Sequence, residues 1–403
     1  MRRLGWLGGA VGGFVVGAML TLAIQSGGSP VGPRTTSGNG VPATRAEPPA
    51  TFLAWVPGGL PAGFGPDVAT TKGVRRVTVV AEDNVWLTRS WSAAGQVVDR
   101  PRRPYMIPID AAAVGTQTFA PFLPPADRAA LASLGSGQGI LGATSAAQRG
   151  LGPGAVLRFA GGTEVRIAAV LPDELIGAAE LMVSRATGRR IGIRHGRYVL
   201  IHPDRGVTLT SRLLTHRLRP LLPADLGIYR HVQVRAPGET PYFRAADAVL
   251  PPALIKTLFG EFAARPDPGR PGYLDIDPAW VRHNIVTVEL PLLGRVTCNR
   301  ILVPQLRSAM EAMVARGLGS LIHTFHGCFA PKFVNRDPGA MISHHSWGMA
   351  FDVNLAGNLY GDPPHQDPRL VRTLARWGFI WGGSFVVPDG NHFEYRRSPA
   401  GSV

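Results

Sequence analysis

Two imidazoles and a carboxylate near the C-terminus, His345, His392 and Asp352, have the types and order to meet on one cation. Three nitrogen and oxygen ligands, with a fourth position left for water, are what a catalytic zinc requires. A second carboxylate, Asp389, stands three residues before the last histidine, where it can handle the proton of an activated water. All four lie in the stretch 343–394. It opens Ser-His-His-Ser-Trp-Gly-Met-Ala-Phe-Asp and closes Asp-Gly-Asn-His-Phe-Glu.

His345 and Asp352 are seven residues apart, an odd separation that puts them on opposite faces of a straight strand. A turn around Trp347-Gly348 lets a loop ligand meet a strand ligand, with Gly348 permitting close backbone approach and Ser343 bonding locally to hold the turn. Glu394, two after His392 on a strand, shares that ligand's face and suits the role of orienting an imidazole N–H. The metal stretch lies between two expected helices. Leu302, Leu306, Met310 and Met313 share one helical face, with Pro304 in the first turn. A second helix starts with Asp367 as N-cap and Pro368 at the first position, turns Leu370, Leu374 and Trp377 inward, and ends at Gly378.

The pattern Ser343-x-His345-x-x-Gly348-x-Ala350-x-Asp352, followed by Asp389-x-x-His392, resembles the signature of zinc D-alanyl-D-alanine carboxypeptidases and their peptidoglycan endopeptidase relatives. Trp381-Gly382-Gly383 is also similar to that family. The resemblance covers about Cys298 to Arg396, a quarter of the chain. It implies the Hedgehog/DD-peptidase fold for the C-terminal domain, one Zn2+ ion, and peptide stems of peptidoglycan as substrate. It assigns the ligand to His345 rather than to the adjacent His344, and the general base to Asp389 rather than to Glu394. Removal of a terminal D-alanine is the expected activity, with an L-alanyl-D-glutamate-type endopeptidase as the alternative. A binding module without catalysis is a further one, since the Hedgehog signalling domain shares the zinc fold. The family often carries an arginine upstream of the serine. Here Lys332 stands near that place and Arg336 four later, so either is a candidate for the substrate carboxylate or the oxyanion, with lysine giving a point charge instead of a planar fork.

Cys298 and Cys328 are the only cysteines, and an even pair outside the cytoplasm is expected to be bridged, closing a loop worth about 3 kcal/mol. The 403-residue length suggests two folded domains with appendages. A net charge of +15 comes from 42 basic residues, of which only three are lysine, spread without aromatic clustering. That is a bias of composition, and no nucleic-acid partner is expected from it.

Arg2 and Arg3 precede an uncharged run, so residues 1–24 are expected to form a transmembrane signal anchor that leaves the catalytic domain extracytoplasmic in a bacterial envelope. Gly5, Gly9, Gly13 and Gly17 recur at every fourth position, a spacing suited to self-association in a membrane. Residues 25–50, rich in Gly, Pro, Ser and Thr, read as a linker.

Residues 51–261 read as an α+β accessory domain, and 262–403 as the catalytic one. Strands are expected at 74–80, 85–87, 198–201 and 229–234, a hairpin over 155–170, and a short helix to about Leu134. The order of a helix, Gly152 to Gly154 and paired strands weakly resembles extracytoplasmic domains of bacterial transporter permeases, and no function is carried from it. His195, His202, His216 and His231 are single, without ligand spacing.

Overall fold

The computed structural model describes residues 50–239, 244 and 250–398, all within one unit that spans Arg45–Val403. Nine strands make the large sheet: β1 (Phe52–Trp55), β2 (Val74–Trp91), β3 (Ile107–Val114), β4 (Gln138–Gly142), β5 (Val156–Phe159), β6 (Glu164–Leu171), β7 (Leu181–Ser184), β8 (Gly196–Pro203) and β9 (Gln233–Arg235). Following the pairing β2-β3-β7-β4-β6-β5 returns to β2, so six of them close on themselves as a barrel. Every second residue points inward, and Leu87, Ile109, Ala111, Leu157, Phe159, Val165, Ile167, Leu181 and Val183 fill the inside. Outside the barrel, β8, β1 and β9 extend the sheet from β2.

Two expectations are corrected here. The fold class is mixed α/β with a barrel-like sheet and not α+β, because β3 pairs with β7 and β4 with β6 in parallel. Parallel neighbours are joined by crossovers, and alternation along a strand says which face is buried but not which strand lies alongside. Among the described residues no helix is long and apolar enough to cross a membrane, and the structure does not uphold the expected anchor, the transmembrane character or the localisation built on it. The segment 1–24, with Gly5, Gly9, Gly13 and Gly17, and residues 25–49 of the linker lie outside the described residues.

The strands expected at 74–80 and 85–87 are one 18-residue strand. Glu82-Asp83-Asn84 reads as a break in sequence, yet each side chain has a partner that lets it stay in the ladder. Glu82 meets Arg244 at 2.7 Å, Asp83 meets Arg197 at 2.7 Å, and Asn84 Oδ1 accepts from the Ile342 amide at 2.9 Å. Around Tyr229 the expected strand is instead a 3-10 turn (Ala224–Tyr229), and only Gln233–Arg235 is extended.

The C-terminal part packs on this sheet. Two hairpins, β10 (Ala264–Pro266) with β11 (Leu274–Ile276) and β12 (Ile285–Leu290) with β13 (Gly294–Asn299), precede a four-stranded sheet. The latter comprises β14 (Phe325–Gly327), β15 (Ala350–Val353), β16 (Phe379–Trp381) and β17 (His392–Tyr395), in the order β14-β15-β17-β16. Helices Leu302–Ala315 and Pro368–Arg376 cover it, burying Leu306, Met310, Leu370 and Leu374 against Phe351 and Phe393. Asp367 caps the second helix by accepting from the Arg369 amide. Between barrel and C-terminal part, Lys256 and Arg149 meet Glu180 and Glu261 in a buried ionic cluster. Such pairs add little net stability, but removing one partner leaves a buried charge and typically costs about 3–5 kcal/mol.

Candidate metal centre

Asp352 and His392 are brought together by register: they face each other across the antiparallel β15–β17 ladder. His345 arrives from the other side, in the 3-10 turn His344–Trp347 that runs into Gly348. Gly348 has φ +65°, and a Cβ there would lie 2.6 Å from the Asn299 amide nitrogen, so both backbone conformation and space demand glycine. That reversal solves the odd seven-residue separation. The hydroxyl that ties the turn down is that of Ser346, which donates to the Lys332 carbonyl and accepts from the Lys332 amide, both at 3.0 Å. Ser343 contributes its backbone carbonyl, which accepts from the Ser346 amide at 2.9 Å, and its side chain lines the cleft.

His345 Nε2, His392 Nδ1 and Asp352 Oδ1 form a triangle with edges of 3.1 to 3.2 Å. Tetrahedral ligands about 2.0–2.1 Å from a zinc ion stand roughly 3.3 Å from one another. The donor set therefore fits a metal in both chemistry and spacing. The other ring nitrogens are committed: His345 Nδ1 donates to the Cys328 carbonyl at 2.8 Å, and His392 Nε2 to Glu394 Oε2 at 3.1 Å. Both commitments leave the lone pair on the nitrogen that points into the triangle. Glu394 also accepts from His344 Nδ1 at 2.7 Å, which turns His344 away from the triangle.

The charges agree with this arrangement. Burial pushes the Asp352 carboxyl up, but its contacts with the His345 and His392 imidazoles outweigh it and hold it far below the usual carboxylate range. Burial opposes charge on His392, yet Asp352 and Glu394 push its imidazole up to about 10. Positive charge is drawn to this spot by two carboxylates. Asp389 differs: burial raises its carboxyl, Asp352 adds to that, and His392, His345 and Lys332 oppose it. Its Oδ1 accepts from Asn391 Nδ2 at 2.9 Å, and its loop is braced by Trp381 Nε1 donating to the Gly390 carbonyl at 2.8 Å.

These groups share a cleft of about 360 Å³ whose lining includes the triad, Asp389, Lys332, His344, Glu394 and Tyr360. Arg336 is exposed in a left-handed turn and is not among the lining residues. Cys298 and Cys328 are joined in a disulfide with Cα atoms 5.3 Å apart. The bridge holds the segment whose carbonyl orients His345. The far wall of the cleft comes from the large sheet and the turn after β1, through Trp55 to Gly59, Glu82 and Arg197, with Arg244 added from the chain after β9. No local pattern marks those residues, because only the packing of distant segments puts them there.

Residues 336–395, which hold the triad and Asp389, match the family model described as D-alanyl-D-alanine carboxypeptidase. The match is confined to that C-terminal stretch and points to a peptidase-like region there. No curated protein matches the chain. Similar solved structures include the periplasmic region of MacB from Actinobacillus actinomycetemcomitans, 14% identical, covering 46% of this chain and 88% of that one with a TM-score of 0.30. The extracellular domain of the noncanonic ABC-type transporter YknZ from Gram-positive bacteria is likewise 14% identical, covering 46% and 99% with a TM-score of 0.30. Likeness at that level says nothing of what this chain does.

Proposed function

We propose that this protein is a zinc-dependent peptidase that removes the terminal D-alanine from peptide stems of peptidoglycan. The observation that carries the reading is the convergence of His345, Asp352 and His392 beside a second buried carboxylate, Asp389, in one open cleft. His345 Nε2, Asp352 Oδ1 and His392 Nδ1 would hold the ion, which when bound supplies Lewis-acid polarisation of the scissile carbonyl and acidifies water at the open position. Asp389 accepts the proton of the attacking water as the new C–O bond forms, and returns it to the leaving amine as the C–N bond breaks. Burial favours a carboxyl that can hold that proton between the two events. Cys328 and Glu394 fix the two imidazoles so that neither rotates out of position. Lys332, which lines the cleft, supplies positive charge for the substrate's terminal carboxylate.

The test is the mass of the products from a muropeptide ending in D-alanyl-D-alanine. Loss of a single D-alanine, abolished when that end is amidated, is the expected result. A cut within the stem, insensitive to amidation, would replace the carboxypeptidase reading with the endopeptidase one.

A further inference from the structure

The cleft has two walls from distant parts of the chain. The C-terminal part provides the triad, Asp389 and Lys332, and the large sheet, with Arg244 from the chain after β9, provides the other wall. Direct bonds fix the two walls together. Arg197 Nη2 donates to the Gly339 carbonyl at 2.8 Å, and the Ile342 amide donates to Asn84 at 2.9 Å, both just ahead of Ser343. The sheet is therefore part of the cleft's shape and not a neighbour in loose contact.

Its wall is rich in hydrogen-bond donors. Arg244 is 8% exposed, and its Nη1 meets Glu82 at 2.7 Å and Asp110 at 2.6 Å; no bond among the described residues engages its Nε or Nη2. Arg197 spends Nε on the Glu82 carbonyl and Nη2 on Asp83 and Gly339, and Nη1 has no bond among the described residues. Trp55, in the same lining, has a buried indole N–H without an acceptor among the described residues. A buried donor without a partner, as the Trp55 indole is here, is costly, and a guanidinium fork fits a carboxylate. Glu82, the carboxylate on this wall, is already engaged by Arg244.

A carboxypeptidase substrate has one residue on its leaving side. The rest of the peptide runs away from the triad through the remaining cleft, which the sheet bounds. We propose that this wall is a second recognition site, taking a carboxylate carried by the peptide at a distance from the scissile bond, with Arg244 and Arg197 as its donors. The inference rests on the peptidase reading of the same cleft.

Calorimetric titration of the full chain tests it, using zinc-loaded Asp389→Asn protein to hold the peptide uncut. Two D-alanyl-D-alanine peptides are compared, one with an internal glutamate and one with glutamine in its place. The glutamate peptide should bind about tenfold tighter, the scale of a charge-assisted pair. Adding Arg244→Lys, which keeps the charge but loses the fork, should remove that preference and leave the metal content and the glutamine peptide's affinity unchanged. Equal affinities in the parent, equal losses for both peptides, or no binding of either overturns the site. Hydrolysis by the unsubstituted chain is read separately. Glutamate-dependent binding without hydrolysis keeps the site and removes the peptidase reading, and hydrolysis without glutamate preference does the reverse.

Discussion

His345 and His392 each give the triangle one ligand atom. His345→Ala and His392→Ala should therefore lose the ion, read as zinc per chain after dialysis, and retention of full metal in both would remove the centre. The two carboxylates beside them separate by role. Asp389→Asn should keep the metal and lose hydrolysis by about 10²-fold or more, as loss of general acid–base help does. Glu394→Gln should retain turnover when saturated with zinc but bind the ion about 10–100-fold more weakly, since it loosens the His392 ring. Metal retention and kcat, measured together on the two variants, distinguish these outcomes. The reversed pattern would exchange their roles.

At the scale of elements, the site depends on one turn and one ladder. Gly348→Ala forces a side chain into a left-handed conformation and against the β13 backbone, so it should destabilise the fold by about 1–3 kcal/mol or more in urea titration. An unchanged midpoint would mean that the turn is not held as described. The ligands were legible in sequence because their spacing is local: the Ser343 to Asp352 turn and the Asp389 to His392 loop each fit within ten residues. The helices at 302–315 and 368–376 were legible for the same reason, through apolar period and an aspartate cap. The turn's anchoring hydroxyl was assigned to Ser343 when Ser346 makes the bonds, because the partner, Lys332, is distant in sequence and no pattern names it. Long β2 was read as two strands because Glu82, Asp83 and Asn84 look like a break until Arg244, Arg197 and Ile342 are seen to meet them.

Across the whole molecule, what sequence could not show is closure. The barrel, its parallel pairs and the second wall of the cleft all follow from contacts between distant segments. The large sheet also carries its own pH dependence. His202, buried against Phe122 and bonded to Thr51, is pushed down to about 4, first by burial and then by Arg75, Arg76 and Arg128. A base depressed in the folded state contributes stability that is whole above about 6.5 and is lost as pH falls through about 4. His202→Gln cannot titrate, so it should flatten that part of the stability curve. Urea midpoints of the two proteins from pH 8 to 4, in chelator so that metal loss does not enter, check this. Parallel curves would contradict it.

The central claim is that one metal ion and Asp389 together make a peptidase of this cleft. It is tested most directly by titrating zinc into metal-free full chain while following release of D-alanine from a D-alanyl-D-alanine peptide. Hydrolysis should rise with zinc and level off at about one equivalent, while Asp389→Asn takes up the same equivalent and stays inactive. Hydrolysis that persists in chelator, or zinc-saturated protein that cleaves no such peptide, would contradict the account.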